Sequence, residues 1–286
     1  MSAGKTMRPE DAAWWLGVVR ATVFGLWLVK LTSGWLGTLA ILPSSLLEPP
    51  FLLQAVPSAA WGLLLQPGIL NGLQLATILF AALAAVGLRP YRPLAIVVAM
   101  LITFEQGLVR SYGYSNHPEL FLVLATWILA FVPAADGFCR PARNAERPAS
   151  EYLGAIAFIA LVGCWTYAAA AAYRVAHHGF ELFASDSMKH LIALNSFRFG
   201  SGASGAFVLA HPRFADAVQF LVPLTTAMEL TAPLTLRSRR FLWVWLVFLF
   251  GFHVLTAIST TILFWESMLV LGAALVAFDR VTRGAA

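Results

Sequence analysis

Residues 241–259 read FLWVWLVFLFGFHVLTAIS, a run with a single histidine and no Asp, Glu, Lys or Arg. The hydrocarbon core of a bilayer is about 30 Å thick, and a helix needs about 20 apolar residues to cross it. Runs of similar character recur along the rest of the chain, at residues 13–32, 69–88, 91–109, 118–134, 151–174, 216–236 and 262–278. Because a segment in lipid must satisfy its own backbone hydrogen bonds, each run predicts a transmembrane helix. The predicted fold is all-α, a polytopic membrane helical bundle with about eight transmembrane helices.

The composition agrees with a single transmembrane domain over residues 1–286. Of the 286 residues, 59% are hydrophobic and 12% are charged, whereas soluble domains carry about 25% charged residues. The net charge of +5 comes from basic residues that are scattered among apolar segments, which excludes nucleic-acid binding. Two cysteines are too few for a disulfide framework, and no Cys or His spacing fits a metal site, so we predict no metal.

The basic residues indicate the orientation of the helices. If the N-terminus is placed inside, most of the 19 Lys and Arg residues fall on the cytoplasmic side. Cytoplasmic loops of membrane proteins normally carry an excess of Lys and Arg. Both termini are therefore expected in the cytoplasm. The long outer loops are then residues 33–68, a hydrophobic flap at the membrane surface, and residues 175–215, an extracytoplasmic loop. Within the second loop, residues 180–194 predict an amphipathic helix that lies on the membrane surface.

Ionisable residues within the apolar runs are candidate functional residues, because a charge at the bilayer centre costs about 2.5–3.5 kcal/mol. Several lie in the outer half of the predicted helices, Arg110 among them, and four of these are expected to line one cavity: Glu105, His117, Arg174 and His253. Glu229 lies deeper. Arg20 is expected to be a structural partner, with Glu229 as its counterpart. The alternative for all of these residues is that they join helices through hydrogen bonds.

Four short motifs occur in a recognisable order. Residues Ser115-Asn116-His117-Pro118-Glu119-Leu120 open a leucine-rich helix, and three motifs follow: Ser187-Met188-Lys189-His190-Leu191, Met228-Glu229-Leu230 and Phe252-His253. Together they resemble the vitamin K-dependent gamma-carboxylase family, which includes a bacterial branch called HTTM proteins. The resemblance covers about residues 12–280.

The resemblance implies a membrane enzyme that uses a reduced quinone, oxygen and carbon dioxide. In that family, oxygenation of the hydroquinone generates a strong base that removes the gamma proton of a peptidyl glutamate, and the carbanion captures carbon dioxide. The family's initiating lysine is replaced here by Arg174, within Tyr173-Arg174-Val175. An arginine stays protonated and cannot take that proton, so the resemblance leaves open whether this chain is an enzyme.

Depth in the bilayer and the resemblance together give the expected site: His117, Arg174 and His253 as catalytic residues, and Glu105, Arg110, Asn116, Lys189 and Glu229 as ligand-binding residues. The expected function is binding of a quinone or another lipidic ligand in an outward-opening polar pocket, with redox-linked modification of a peptide or lipid. A quinone or hydroquinone is the expected cofactor. The alternative is a non-catalytic subunit or scaffold of a larger membrane protein complex. The expected location is a bacterial cytoplasmic membrane, with the lipid bilayer and a peptide or membrane protein as partners.

Overall fold

The computed structural model describes residues 8–34, 36–112, 119–138, 147–179, 181, 186–198, 202–260 and 264–283. Within these ranges the regular structure is entirely helical and contains no strand, which confirms the predicted all-α class. The α-helices are α1 (Pro9–Ser33), α2 (Ser58–Leu64), α3 (Pro67–Ala85), α4 (Tyr91–Arg110), α5 (Leu120–Phe131), α6 (Ala149–His178), α7 (Ser187–Arg198), α8 (Gly202–Ala210), α9 (Pro212–Leu230), α10 (Arg239–Thr260) and α11 (Trp265–Arg283). Short 3-10 helices lie between α1 and α2 and after α9.

Each of the eight predicted apolar runs contains a helix of the structure. Five of these helices are long and apolar enough to cross a membrane: α1, α3, α4, α6 and α10. Of the other three, α5 is apolar but only 12 residues long. Helices α9 and α11 are 19 residues long but carry charged residues near both ends. The chain therefore has the character of a multi-pass membrane protein.

Helix α10 shows how the sequence separates its two faces. Trp245, Leu249 and His253 recur at every fourth position and are buried, as residues on one helical face must be. On the opposite face, Val247 and Ile258 are 74% and 66% exposed. Aliphatic residues outside and a histidine inside are typical of a helix that is surrounded by lipid.

The chain forms two compact units. The first contains residues 1–156 and 280–286, and the second contains residues 157–279. In the first unit, the loop after α1 folds back as short 3-10 helices and α2. Leu36 and Trp61 of this loop pack against Leu70 of α3 and Leu108 of α4. The predicted hydrophobic flap is therefore a packed structure.

Arg20 stabilises the first unit through backbone carbonyls. Its side chain is fully buried in α1. It donates hydrogen bonds to the carbonyl of Ala85 at 3.1 Å, to that of Ala134, and to that of Gly137 at 3.3 Å. These carbonyls lie at the end of α3 and after α5, where the helical hydrogen-bond ladder ends. The predicted structural role is confirmed, but the predicted partner was wrong, because Glu229 pairs with Arg174 instead.

Gly87 makes room for this arginine. Its φ of +72° lies in the left-handed region, and an added Cβ would lie 2.6 Å from Arg20 Nη1. Both conditions favour glycine.

The described helix of the second outer loop is α7, Ser187–Arg198, which overlaps the predicted helix over residues 187–194 and continues beyond it. Phe180 and Phe183, in the first part of the predicted helix, lie outside the described residues. In α7, Asn195 and Ser196 are buried, whereas Leu194 and Phe197 are more than 60% exposed. The buried polar face packs on α8, where the Gly205 N–H donates to Ser196 Oγ at 2.8 Å. Because Gly205 has no side chain, α7 and α8 can approach closely enough for this hydrogen bond to the Ser196 hydroxyl.

Candidate functional site

Two of the predicted site residues form an ion pair in the second unit. Arg174, near the end of α6, contacts Glu229 Oε2 of α9 through Nη2. The side chain of Glu229 is 8% exposed and that of Arg174 is 31% exposed. The arginine also donates from Nε to the carbonyl of Ala170 at 3.4 Å. Among the described residues, Nη1 of Arg174 has no hydrogen-bond partner.

A second polar pair joins α6 to α10. The hydroxyl of Tyr167 lies 2.7 Å from Nε2 of His253, and His253 is 3% exposed. The Tyr167 ring also packs edge-on against Trp245, with centroids 5.6 Å apart. Sequence reasoning selected His253 and missed Tyr167. The available signal was its position seven residues before Arg174, which places both on one face of α6.

The indole of Trp245 connects the two pairs. Its Nε1 donates to the carbonyl of Met228 at 2.8 Å, and Met228 precedes Glu229 in the last turn of α9, where carbonyls lack helical partners. Three residues before Tyr167 in α6, the thiol of Cys164 lies 3.4 Å from the hydroxyl of Thr235. The second unit thus contains a group of polar contacts that α6, α9 and α10 form with one another. We call this group the polar layer.

The remaining predicted residues of helical segments lie in the first unit. Glu105 of α4 is buried and accepts a hydrogen bond from Thr77 of α3. Arg110 at the end of α4 lies 3.5 Å from Glu119 Oε2. Sequence reasoning did not select Lys30 of α1, whose Nζ lies 2.9 Å from Glu119 Oε1. Two cations therefore share one carboxylate at the ends of three helices.

Lys189, a predicted ligand-binding residue, forms ion pairs with two carboxylates. Its ammonium lies 2.8 Å from Asp186 and 2.7 Å from Asp216, which ties the start of α7 to α9. Hydrogen bonds to these carboxylates raise the pKa of Lys189, and the bond from Lys189 lowers the pKa of Asp186. The lysine is thus a fixed cation at the surface of the second unit.

Part of the predicted site is not described by the structure. Asn116 and His117 lie outside the described residues. Glu105 and Arg110 belong to the first unit, whereas Arg174, Glu229 and His253 belong to the second. The single cavity that Glu105, His117, Arg174 and His253 are expected to line therefore stays a prediction. In the described part of the chain, no three His, Cys, Asp or Glu side chains are grouped so that they could hold a metal ion.

Comparison of the chain with models of protein families, with curated proteins and with solved structures gives no significant match.

Proposed function

We propose that this chain is a membrane protein of the gamma-carboxylase-like, HTTM type, and that its polar layer binds a quinone or another lipidic ligand from the outer side. The observation that carries the proposal is the Arg174 guanidinium. It is held by Glu229, it is partly exposed among apolar helices, and its Nη1 has no hydrogen-bond partner among the described residues. A planar cation of this kind binds oxygen atoms through directed hydrogen bonds.

The proposed topology has eight spans and both termini in a bacterial cytoplasm. The eight helical segments support it, as does the positive-inside rule applied to the loops.

Arg174 and Glu229 of the polar layer have different roles in ligand binding. Arg174 supplies a permanent positive charge to a ligand oxygen, and Glu229 holds the guanidinium in place and compensates its charge. A bound quinone would supply the redox chemistry for modification of a peptide or lipid. Arginine itself cannot abstract a hydroquinone proton, so we assign Arg174 a binding role.

Quinone titration tests this proposal. Purified protein in lipid nanodiscs is titrated with decyl-ubiquinone, and binding is followed by quenching of tryptophan fluorescence. We expect saturable binding by the wild type, loss of binding in Arg174→Ala and partial weakening in Arg174→Lys, because lysine keeps the charge but loses the planar geometry. Arg213→Ala, at an exposed arginine of α9, is the matched control and should bind normally. A wild type that does not bind the quinone would contradict the proposal.

Hydroquinone epoxidation provides a second, independent test. With oxygen and carbon dioxide supplied, the wild type is expected to form no epoxide, because Arg174 replaces the lysine that the resembling enzymes deprotonate. Epoxide formation by the wild type, and its loss in His117→Ala, would show that another base acts, with His117 or Lys189 as the first residues to examine.

The scaffold alternative also has an observation in its favour. The charges of Lys30, Arg110 and Glu119 contact one another at the ends of three helices, as expected where ion pairs join helices. Purification from native membranes distinguishes the two functions. A stoichiometric protein partner without a quinone would support the scaffold, and a co-purifying quinone would support ligand binding.

A further inference from the structure

His253 lies deep in the polar layer and has two different ring nitrogens. Its imidazole is surrounded by the aromatic rings of Phe252, Phe264 and Tyr167, with centroid distances of 5.1, 5.6 and 5.8 Å. Nε2 contacts the Tyr167 hydroxyl. Nδ1 is buried and has no hydrogen-bond partner in the described part of the chain.

The Tyr167 hydroxyl determines which nitrogen carries the proton. Among the described residues, this hydroxyl has His253 as its one hydrogen-bond partner. If Nε2 carried the proton and donated it, two buried groups would lack a partner, the phenolic proton and the Nδ1 lone pair. If Tyr167 donates to the Nε2 lone pair, only one group lacks a partner, the Nδ1–H, so this arrangement is favoured. A neutral imidazole then carries its proton on Nδ1.

A buried donor without an acceptor requires an explanation in a native structure. The surroundings of Nδ1 are aromatic, and a charge without a partner would be unfavourable at this depth. An uncharged acceptor on a flat, apolar molecule fits this environment, and a carbonyl oxygen is such an acceptor.

We propose that His253 is a ligand-binding residue that donates an Nδ1–H hydrogen bond to a carbonyl oxygen of the lipidic ligand, and that Tyr167 is a positioning residue that fixes the required tautomer. This inference rests on the proposed function, since the ligand is the quinone assigned to the polar layer. It adds the second anchoring group and the chemical class of the atom that is bound. The Phe264 ring lies next to the imidazole and must shift for the carbonyl to reach Nδ1.

The tautomer is tested without any ligand. Protein labelled with ¹⁵N-histidine is measured by solid-state NMR, and the His253 signals are assigned by their loss in His253→Gln. We expect a protonated Nδ1 and an unprotonated Nε2 in the wild type. In Tyr167→Phe the Nε2-protonated form should appear, whereas Tyr173→Phe, at an exposed tyrosine of the same helix, should change nothing. Protonation of Nε2 in the wild type would overturn the inference.

The role in binding is tested with two amide substitutions. An asparagine amide occupies the position of Nδ1, whereas a glutamine amide reaches the position of Nε2. His253→Asn should therefore keep decyl-ubiquinone affinity within about threefold, and His253→Gln should weaken it about tenfold while keeping the contact to Tyr167, as expected for one lost hydrogen bond. The carbonyl stretch of the bound quinone, measured by infrared difference spectroscopy, should shift to higher frequency in His253→Gln.

The possible results distinguish a failure of this inference from a failure of the proposed function. If Arg174→Ala abolishes binding but His253→Gln binds as tightly as the wild type, His253 is not a ligand-binding residue and the quinone site stands. If His253→Gln binds normally and His253→Asn does not, the Nε2 side carries the interaction and the inference is wrong. If the wild type does not bind the quinone, both are overturned.

Discussion

The Arg174–Glu229 pair provides the sharpest energetic prediction. We consider Arg174→Gln, Glu229→Gln and the double variant as a double-mutant cycle. Removal of one partner leaves a charge that is buried without compensation, which costs about 3–5 kcal/mol in protein interiors. Since the Arg174 side chain is 31% exposed and that of Glu229 is 8% exposed, we expect each single variant to lose about 3 kcal/mol of unfolding free energy. The double variant should lose less than the sum, with a coupling of about 2 kcal/mol.

An exposed ion pair beside the same helix is the matched control. Arg147 Nη1 lies 2.9 Å from Glu151 Oε2, and the two side chains are 56% and 43% exposed. Exposed pairs of this kind contribute little to stability, because solvent screens both charges. Both cycles are measured by titration with SDS in mixed micelles, with tryptophan fluorescence as the signal. A coupling between Arg174 and Glu229 no larger than that of the control pair would refute the argument that burial makes this contact strong.

Three further predictions concern the fold. Arg20→Met removes three hydrogen bonds that a charged donor makes to buried carbonyls, and should lower the unfolding free energy by about 3–5 kcal/mol in the same SDS assay. Gly205→Val should destabilise the packing of α7 on α8 by about 1–3 kcal/mol, because its Cβ would lie 2.9 Å from that of Ser196, and Ser196→Gly should recover part of this loss. Reporter fusions after Ala145 and after Ser185 should give a cytoplasmic and an extracytoplasmic signal, respectively.

Each of these predictions has a clear opposite result. A loss below about 1 kcal/mol in Arg20→Met, similar to that of an exposed arginine substituted in the same way, would show that the carbonyl contacts contribute little. A Gly205→Val protein as stable as the wild type would show that α7 and α8 can separate without cost. Reporter signals on the opposite sides would overturn the proposed orientation.

The helices of this protein could be predicted from hydrophobicity, because a long apolar run in a bilayer has one way to satisfy its backbone. The run at residues 241–259 is α10, Arg239–Thr260. The run at residues 180–194 was harder, since its mixture of polar and apolar residues fits several structures. The described helix continues to Arg198 and buries Asn195 and Ser196. Ser196 contacts Gly205 of the next helix, and the periodicity of α7 alone does not indicate this contact.

The sequence indicates which polar residues are important more readily than it indicates which residues they contact. Sequence reasoning selected Arg174, Glu229 and His253 because polar groups in a bilayer need compensation. It paired Glu229 with Arg20, whereas Arg174 is its partner. Arg20 instead binds carbonyls at helix ends, and such acceptors are available at every helix end, so the sequence offers no signal that distinguishes them.

The sequence by itself thus determined the all-α membrane class of the protein and the apolar runs in which its long helices lie, because these follow from the free energy of placing each residue in lipid. Only the tertiary structure decided which polar groups meet. Tyr167 and His253 are far apart in sequence, and their contact depends on the rotation of α6 and α10 about their axes. A rotation of one residue, about 100° in an α-helix, would separate the two side chains, and the packing of both whole helices sets that rotation.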